Sequence, residues 1–473
     1  MSLALVPSCG LLDVENVSSI YGDGYWNSKG DVESYMTGIY TSLRDVCNST
    51  LHFEDRGDSF VAGLEGGPSS LWMHNLTSQN GYGWGSYYKT IQHCNMLLKN
   101  TPGVEFGKAE EKDCLMAEAY FVRSYMYFCV ARVWGDAPIE IEPTEGAGKP
   151  KLGRSPAVEV INRALKDVES AISLFPDGIV KGKGKPSRQA AYALKADILL
   201  WKAKVFGGTD QDYEDVIEYA DLASKGLSLE DDFDDIYGKK KGKEVLWAIH
   251  FEYPEKEAHY SKDLKLRDVF VAKAVNMEDV PYAKTGARST YRPSPELCAM
   301  MERYKGDVRV KGSYVTAKDK DGNILGVSDN KMKGTKTETD RTFDSDIIVY
   351  RLAELILFKA EAYAALNKIP EAIKELDKVR NRAKIGDYTG ATDKKSVELE
   401  ILDERGRELY LERKRWPDLL RFHYEGVIDV YSVVPNLKKQ KDIGKVIPLY
   451  LAIPKADMDR NPELLQTAGY ENL

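Results

Sequence analysis

The stretch ERGRELYLERKRWPDLLRF, Glu404 to Phe422, carries ten charged residues among nineteen, six basic and four acidic, with Leu409, Trp416 and Leu419 threaded between them. Helical spacing places Glu404 beside Arg407, Arg405 beside Glu408, Glu412 beside Arg415 and Asp418 beside Arg421. Charges that satisfy one another leave little field for a ligand. The stretch therefore reads as a structural clamp within one helix from Ser396 to Phe422, with Trp416 and the leucines facing a core.

Working outward, long segments with apolar residues three and four apart dominate: Glu110 to Trp134, Ala157 to Leu174, Ser187 to Phe206, Tyr213 to Lys225, Ser345 to Leu366 and Pro370 to Ala383. Convincing strands are few, namely EVLWAIHF from Glu244 and a hairpin near 311–327 turning at Asp321-Gly322. The fold class is mostly α. An internal repeat supports this, because KADILLWKAKV (Lys195 to Val205) aligns with LAELILFKAEA (Leu352 to Ala362), and each copy precedes a second helix. In the later copy Ala360, Tyr363 and Ala372 fall where a tetratricopeptide repeat wants small, large and small residues. FGGTDQD (Phe206 to Asp212) reads as an insertion between the helices of the earlier copy. The predicted scaffold covers roughly 110–227 and 345–423. Between its halves lies a turn-rich, aromatic region, roughly 228–345, which together with 50–90 is expected to form a loop-rich binding face.

The chain has 473 residues, is 43% hydrophobic and bears a net charge of -8, enough to bury a large core but offering no basic field for nucleic acid. The basic run Lys239 to Lys243 reads as a solvated loop. No stretch suits a bilayer span. MSLALVPSCG, residues 1–10, resembles the end of a lipoprotein signal, with Cys9 the natural lipid anchor. The remaining cysteines are scattered, without a CxxC or a Cys/His cluster, and are expected to be buried thiols rather than zinc ligands. The Asp319 to Asn323 run lacks the glycine and terminal glutamate of a calcium loop. Neither a metal nor any other cofactor is implied.

Taken in order along the chain, these segments resemble the SusD/RagB family of Bacteroidetes surface lipoproteins. The resemblance rests on CGLLDVENV, on Trp84, Tyr88, Ile91 and Asn95 at fixed spacing, and on AEAYFVRSYMYFCVARVW closing in Gly135-Asp136-Ala137-Pro138. DSDIIVYRLAELILFKAEAYAALNK, the opening stretch and the tail LAIPKADMDRNPELLQTAGY complete it. The tail departs from the family pattern at Tyr450-Leu451-Ala452, where an aromatic and a proline are common, and within Gln466-Thr467-Ala468-Gly469-Tyr470, where Gln-Asn-Pro-Gly-Tyr is usual, in what reads as a packing segment. The resemblance implies one SusD-like unit over 1–473. It implies a protein of the outer membrane, lipid-anchored and facing the exterior, that binds an oligo- or polysaccharide and passes it to a SusC-like TonB-dependent transporter. It points away from catalysis. A tetratricopeptide-type scaffold for peptides is the alternative, and a glycoside hydrolase a more distant one.

A neutral sugar presents hydroxyls and flat C–H patches, so its site needs aromatic faces and planar polar groups. Loop-like sequence from Asp55 to Trp84 supplies Asp55, Arg56, Asp58, Trp72, Asn75, Gln79, Asn80 and Tyr82, while Trp84 at a helix start belongs to the core. Tyr260, Tyr282 and Tyr291 lie in the middle region, where the family places further contacts. The expected contact set is Trp72, Asn75, Tyr82, Asp55, Arg56, Tyr282 and Tyr291.

Overall fold

A computed structural model describes residues 24–145, 148, 150–176, 182–238, 242–255 and 259–471. Cys9 with the segment 1–10, and Lys239 to Lys241 of the basic run, lie outside these residues.

The scaffold is a succession of helices, each packed on the next: Gly85–Asn100, Ala109–Trp134, Ala157–Leu174, Arg188–Phe206, Asp210–Ser224, Leu352–Ala365, Ile369–Arg382 and Lys394–Glu408. The two repeat copies, separated by some hundred residues of chain, touch through Asp210–Ser224 and Leu352–Ala365. Each helical pair so obtains the neighbour it needs to bury its apolar face. Ala360 and Ala372 are fully buried and Tyr363 packs at the cluster's edge, as the repeat pattern requires.

Local chemistry sets the ends. Ser187 accepts a hydrogen bond from the Ala190 N–H, and Thr209 with Asp212 forms a capping box. That box converts most of the supposed insertion into helix, leaving only a Gly207-Gly208-Thr209 turn. At Gly208 a Cβ would lie 2.5 Å from that of Ala203, so nothing larger fits the turn. The later copy's helix begins at Leu352 rather than Ser345, because Ile347–Arg351 is a strand paired antiparallel with Val245–Ile249. This pairing closes the neck of the middle region and lets it leave and rejoin the scaffold at one place. The predicted hairpin is present as Tyr314–Lys318 and Ile324–Asp329, and the Asp319 carboxylate accepts from the Asp321 and Asn323 N–H groups inside its turn.

The opening stretch is two helices, Lys394–Glu408 and Arg415–Tyr424, joined by a connector with Leu411 and Arg413 at positive φ. Pro417 explains the break, since its ring in a continuous helix would clash with the carbonyl four residues earlier. Two of the four expected pairs form, Arg407–Glu404 at 2.7 Å and Arg421–Asp418 at 2.9 Å. The other two do not. Arg405 pairs with Asp418 and Glu354, and Arg415 reaches Asp58. Glu408 takes Arg309 at 3.0 Å, Arg351 at 2.5 Å and Arg382, while Glu412 takes Arg351 and Lys331. Burial alone would push the Glu408 carboxyl up, but three guanidiniums hold it well below the usual carboxylate range. Trp416, Leu409 and Leu419 are buried as expected.

Arg407 is fully buried between Glu400 and Glu404. Arg407→Ala is expected to lower stability by about 1.5–3 kcal/mol, the worth of hydrogen bonds to a charged group, because Glu404 keeps Arg309 and Glu400 keeps Arg380. Chemical denaturation of the purified variant checks this, and an unchanged midpoint would refute the clamp.

Candidate functional site

The segment 50–69 is stitched to the middle region by an antiparallel pair, Phe60–Ala62 with Tyr291–Pro293, in the register Ala62↔Tyr291. Gly63 extends the contact, since its N–H donates to the Thr290 carbonyl at 2.8 Å and a Cβ there would collide with the Ser289 carbonyl. Asn48 accepts from the Tyr260 N–H at 2.8 Å. Between these ties opens a cleft of about 710 Å³ in which both predicted binding regions meet.

Its wall is polar. Tyr291 donates through its hydroxyl to Asp55 Oδ2 at 2.8 Å, and Ser69 Oγ donates to the same oxygen at 2.8 Å. Burial pushes the Asp55 carboxyl up, opposed by Thr50, Tyr291 and Ser69. Burial likewise raises Asp263, opposed by Lys262 and Arg288. Glu65 accepts two bonds from the Arg267 guanidinium. Lys262 is half-buried, and its ammonium forms no ion pair among the described residues; Arg288 is exposed, its Nε 3.9 Å from Asp263. The cleft thus sets donors (Lys262, Arg288) beside an acceptor (Asp263), with the Thr290 hydroxyl near them and the buried Asp55 held behind the Ser69 and Tyr291 hydroxyls that donate to it. Such an arrangement suits a ligand that both donates and accepts, as a polyol does.

Of the expected contact residues, Asp55 and Tyr291 line this cleft. The others lie elsewhere. Arg56 is buried, donating to the Leu449 and Pro448 carbonyls at 2.6 and 3.0 Å with its guanidinium 4.4 Å from the Trp416 ring centre. Trp72 is half-buried, its Nε1–H donating to the Phe60 carbonyl at 3.0 Å and its ring against Tyr291. Tyr82 is half-buried and its hydroxyl bonds Ser70 at 2.6 Å. The glycines flanking Tyr82 do not expose it, because Gly81 packs where a Cβ would lie 2.9 Å from the Ala452 carbonyl. Tyr282 borders a separate pocket of about 100 Å³, and Asn75 is exposed outside the cleft. Tyr260 lines the cleft but is buried, its hydroxyl held by the Leu411 carbonyl at 2.8 Å. Trp84 packs in the core against Tyr88 and Trp134. The cleft also gathers Lys262, Asp263 and Arg288, which sequence reading did not single out; the polar run Ser261 to Arg267 marks the first two, and no local signal marks Arg288.

Because Trp72 supports strand Phe60–Ala62 and Tyr291, Trp72→Ala is expected to cost at least about 2 kcal/mol of stability, lost packing and a lost hydrogen bond together. Thermal denaturation checks this. A variant as stable as the parent would mean that the ring is not structural.

Two family models match the chain: one described as the SusD family over residues 223–470, the other as starch-binding associating with outer membrane over residues 11–200. SusD-like protein P38 of Formosa agariphila is 25% identical over 511 residues, covering 99% of this chain and 97% of that protein. Among solved structures, a SusD superfamily protein of Bacteroides fragilis superposes with a TM-score of 0.81 at 21% identity, covering 94% of this chain and all of that one. NanU of B. fragilis gives a TM-score of 0.81 at 23% identity over 97% of this chain and all of that one. With one family model spanning the middle region, the later repeat and the tail, and a relative matched almost end to end, this chain belongs to the SusD family.

Proposed function

We propose that this protein is a non-catalytic glycan-binding protein of the outer membrane that captures an oligo- or polysaccharide in the Asp55–Tyr291 cleft. Membership of the SusD family supports the reading, as does the family description that names starch binding and outer-membrane association. The observation that carries it is the cleft itself, about 710 Å³ walled by interleaved donors and acceptors, where a saccharide hydroxyl meets both. In this reading Lys262 and Arg288 donate to ligand oxygens, Asp263 accepts from ligand hydroxyls, and Tyr291 with Ser69 holds Asp55 in place. Trp72, its ring against Tyr291, shapes the wall from behind. Lipidation at Cys9 would hold the protein at the cell exterior, and delivery to a SusC-like TonB-dependent transporter completes the proposed role.

Isothermal titration against soluble starch, laminarin, xyloglucan and a peptide library tests this. Heat is expected with at least one polysaccharide, and Lys262→Ala is expected to weaken that binding about tenfold, the worth of one charged hydrogen bond, without lowering the melting temperature. Heat with peptides alone would favour a tetratricopeptide-type scaffold, and shortened glycan products after incubation would make the protein an enzyme.

A further inference from the structure

A second cleft, of about 610 Å³, lies where the C-terminal tail crosses the end of the long helix Ala109–Trp134. Its character differs from that of the first, because three tyrosines line it: Tyr424, Tyr431 and Tyr450. Tyr424 is 39% exposed, the largest exposure among the aromatic residues of either cleft. Tyr450 is seated by the Gly135-Asp136-Ala137-Pro138 turn: Gly135 has φ +70°, and a Cβ there would come within 3.0 Å of the Tyr450 ring. Tyr431 is fixed by its hydroxyl, which donates to the Ile447 carbonyl at 2.8 Å.

The polar wall is equally fixed. Arg154 donates to the carbonyls of Asp136 at 2.8 Å, Leu465 at 2.9 Å and Trp134 at 3.1 Å, and among the described residues it pairs with no carboxylate. Of its five N–H groups these bonds engage three, leaving two to donate. Asp136 spends Oδ1 on the Ala157 N–H and is otherwise exposed. Beneath the floor, buried Arg56 clamps the Pro448 and Leu449 carbonyls, both residues lining the cleft. Gln466, Thr467 and Ala468 also line it, while Leu451 and Ala452 are buried in the core.

Aromatic faces combined with spare planar donors and acceptors are what a pyranose ring requires, C–H patch against the ring and hydroxyls on the rim. We propose that the Tyr424–Tyr431–Tyr450 cleft is a second saccharide-binding site, separate from the polar cleft, that grips neutral sugar units by stacking. The proposal rests on the reading of the chain as a glycan binder, and Arg56 is its positioning residue.

Affinity electrophoresis in gels containing soluble starch, laminarin or xyloglucan tests it, with melting temperatures as a control for folding. Tyr424→Ala is expected to lose about two- to tenfold in retention, the worth of one stacked ring. Leu465→Arg, a change at a rim residue 76% exposed, is expected to obstruct the same cleft without touching the core. Lys262→Ala should retain residual binding that disappears when it is combined with Tyr424→Ala. If Tyr424→Ala and Leu465→Arg migrate as the parent while Lys262→Ala abolishes retention, this cleft is not a site and the first reading stands. If the parent is retained by none of the three glycans, both readings fall.

Discussion

One buried carboxylate, Glu408, meets three guanidiniums drawn from three different elements: Arg382 from the preceding helix, Arg351 from the strand at the neck of the middle region, and Arg309 from within that region. Glu244, at the other side of the neck, receives Arg351 and Arg382, and Glu412 receives Arg351 and Lys331. The helical array and the loop-rich layer above it are therefore joined by charge. Both sides of the first cleft depend on that junction, since the middle region supplies Lys262, Asp263, Arg288 and Tyr291 while the segment it pairs with supplies Asp55 and Ser69.

A lattice of this kind gives geometry more than free energy. Taking a carboxylate and three guanidiniums out of water costs several kcal/mol per ion, which the mutual attraction offsets only when every group is well placed. A greasy interface of equal area would tolerate sliding, whereas bidentate contacts between guanidinium and carboxylate fix both distance and plane. Arg351 illustrates this, because it reaches Glu412 with Nε at 2.9 Å and Nη2 at 2.9 Å while Nη1 serves Glu244 and Glu408. The middle region, poor in long helices, takes its position from this junction and from the Val245–Ile249 pairing.

Much of the fold was legible because helical periodicity and the repeat are local signals. The stacking of the two copies was not, as it depends on where the intervening chain returns. The opening stretch shows the limit: Glu404–Arg407 and Asp418–Arg421 follow from spacing, but the ion-pair partners of Glu408 and Glu412 lie 26 to 99 residues away. At the candidate site, residue type and region placed Asp55 and Tyr291 together, and both line the cleft. Trp72 and Tyr82 are half-buried rather than on exposed loops, because glycines such as Gly81 permit close backbone approach to the tail. The aromatic cleft escaped notice because Tyr424, Tyr431 and Tyr450 come from a helix end and two stretches of tail that meet only in space.

The buried charge junction, rather than the apolar core alone, holds the loop-rich layer in place. Hydrogen exchange followed by mass spectrometry on Glu408→Gln tests it most directly. The expected result is lost protection in Val245–Ile249, Ile347–Arg351 and Tyr291–Pro293, with Lys29–Cys47 and Ala109–Trp134 protected as in the parent. Unchanged protection across the middle region, or an equal loss in every element, would contradict it.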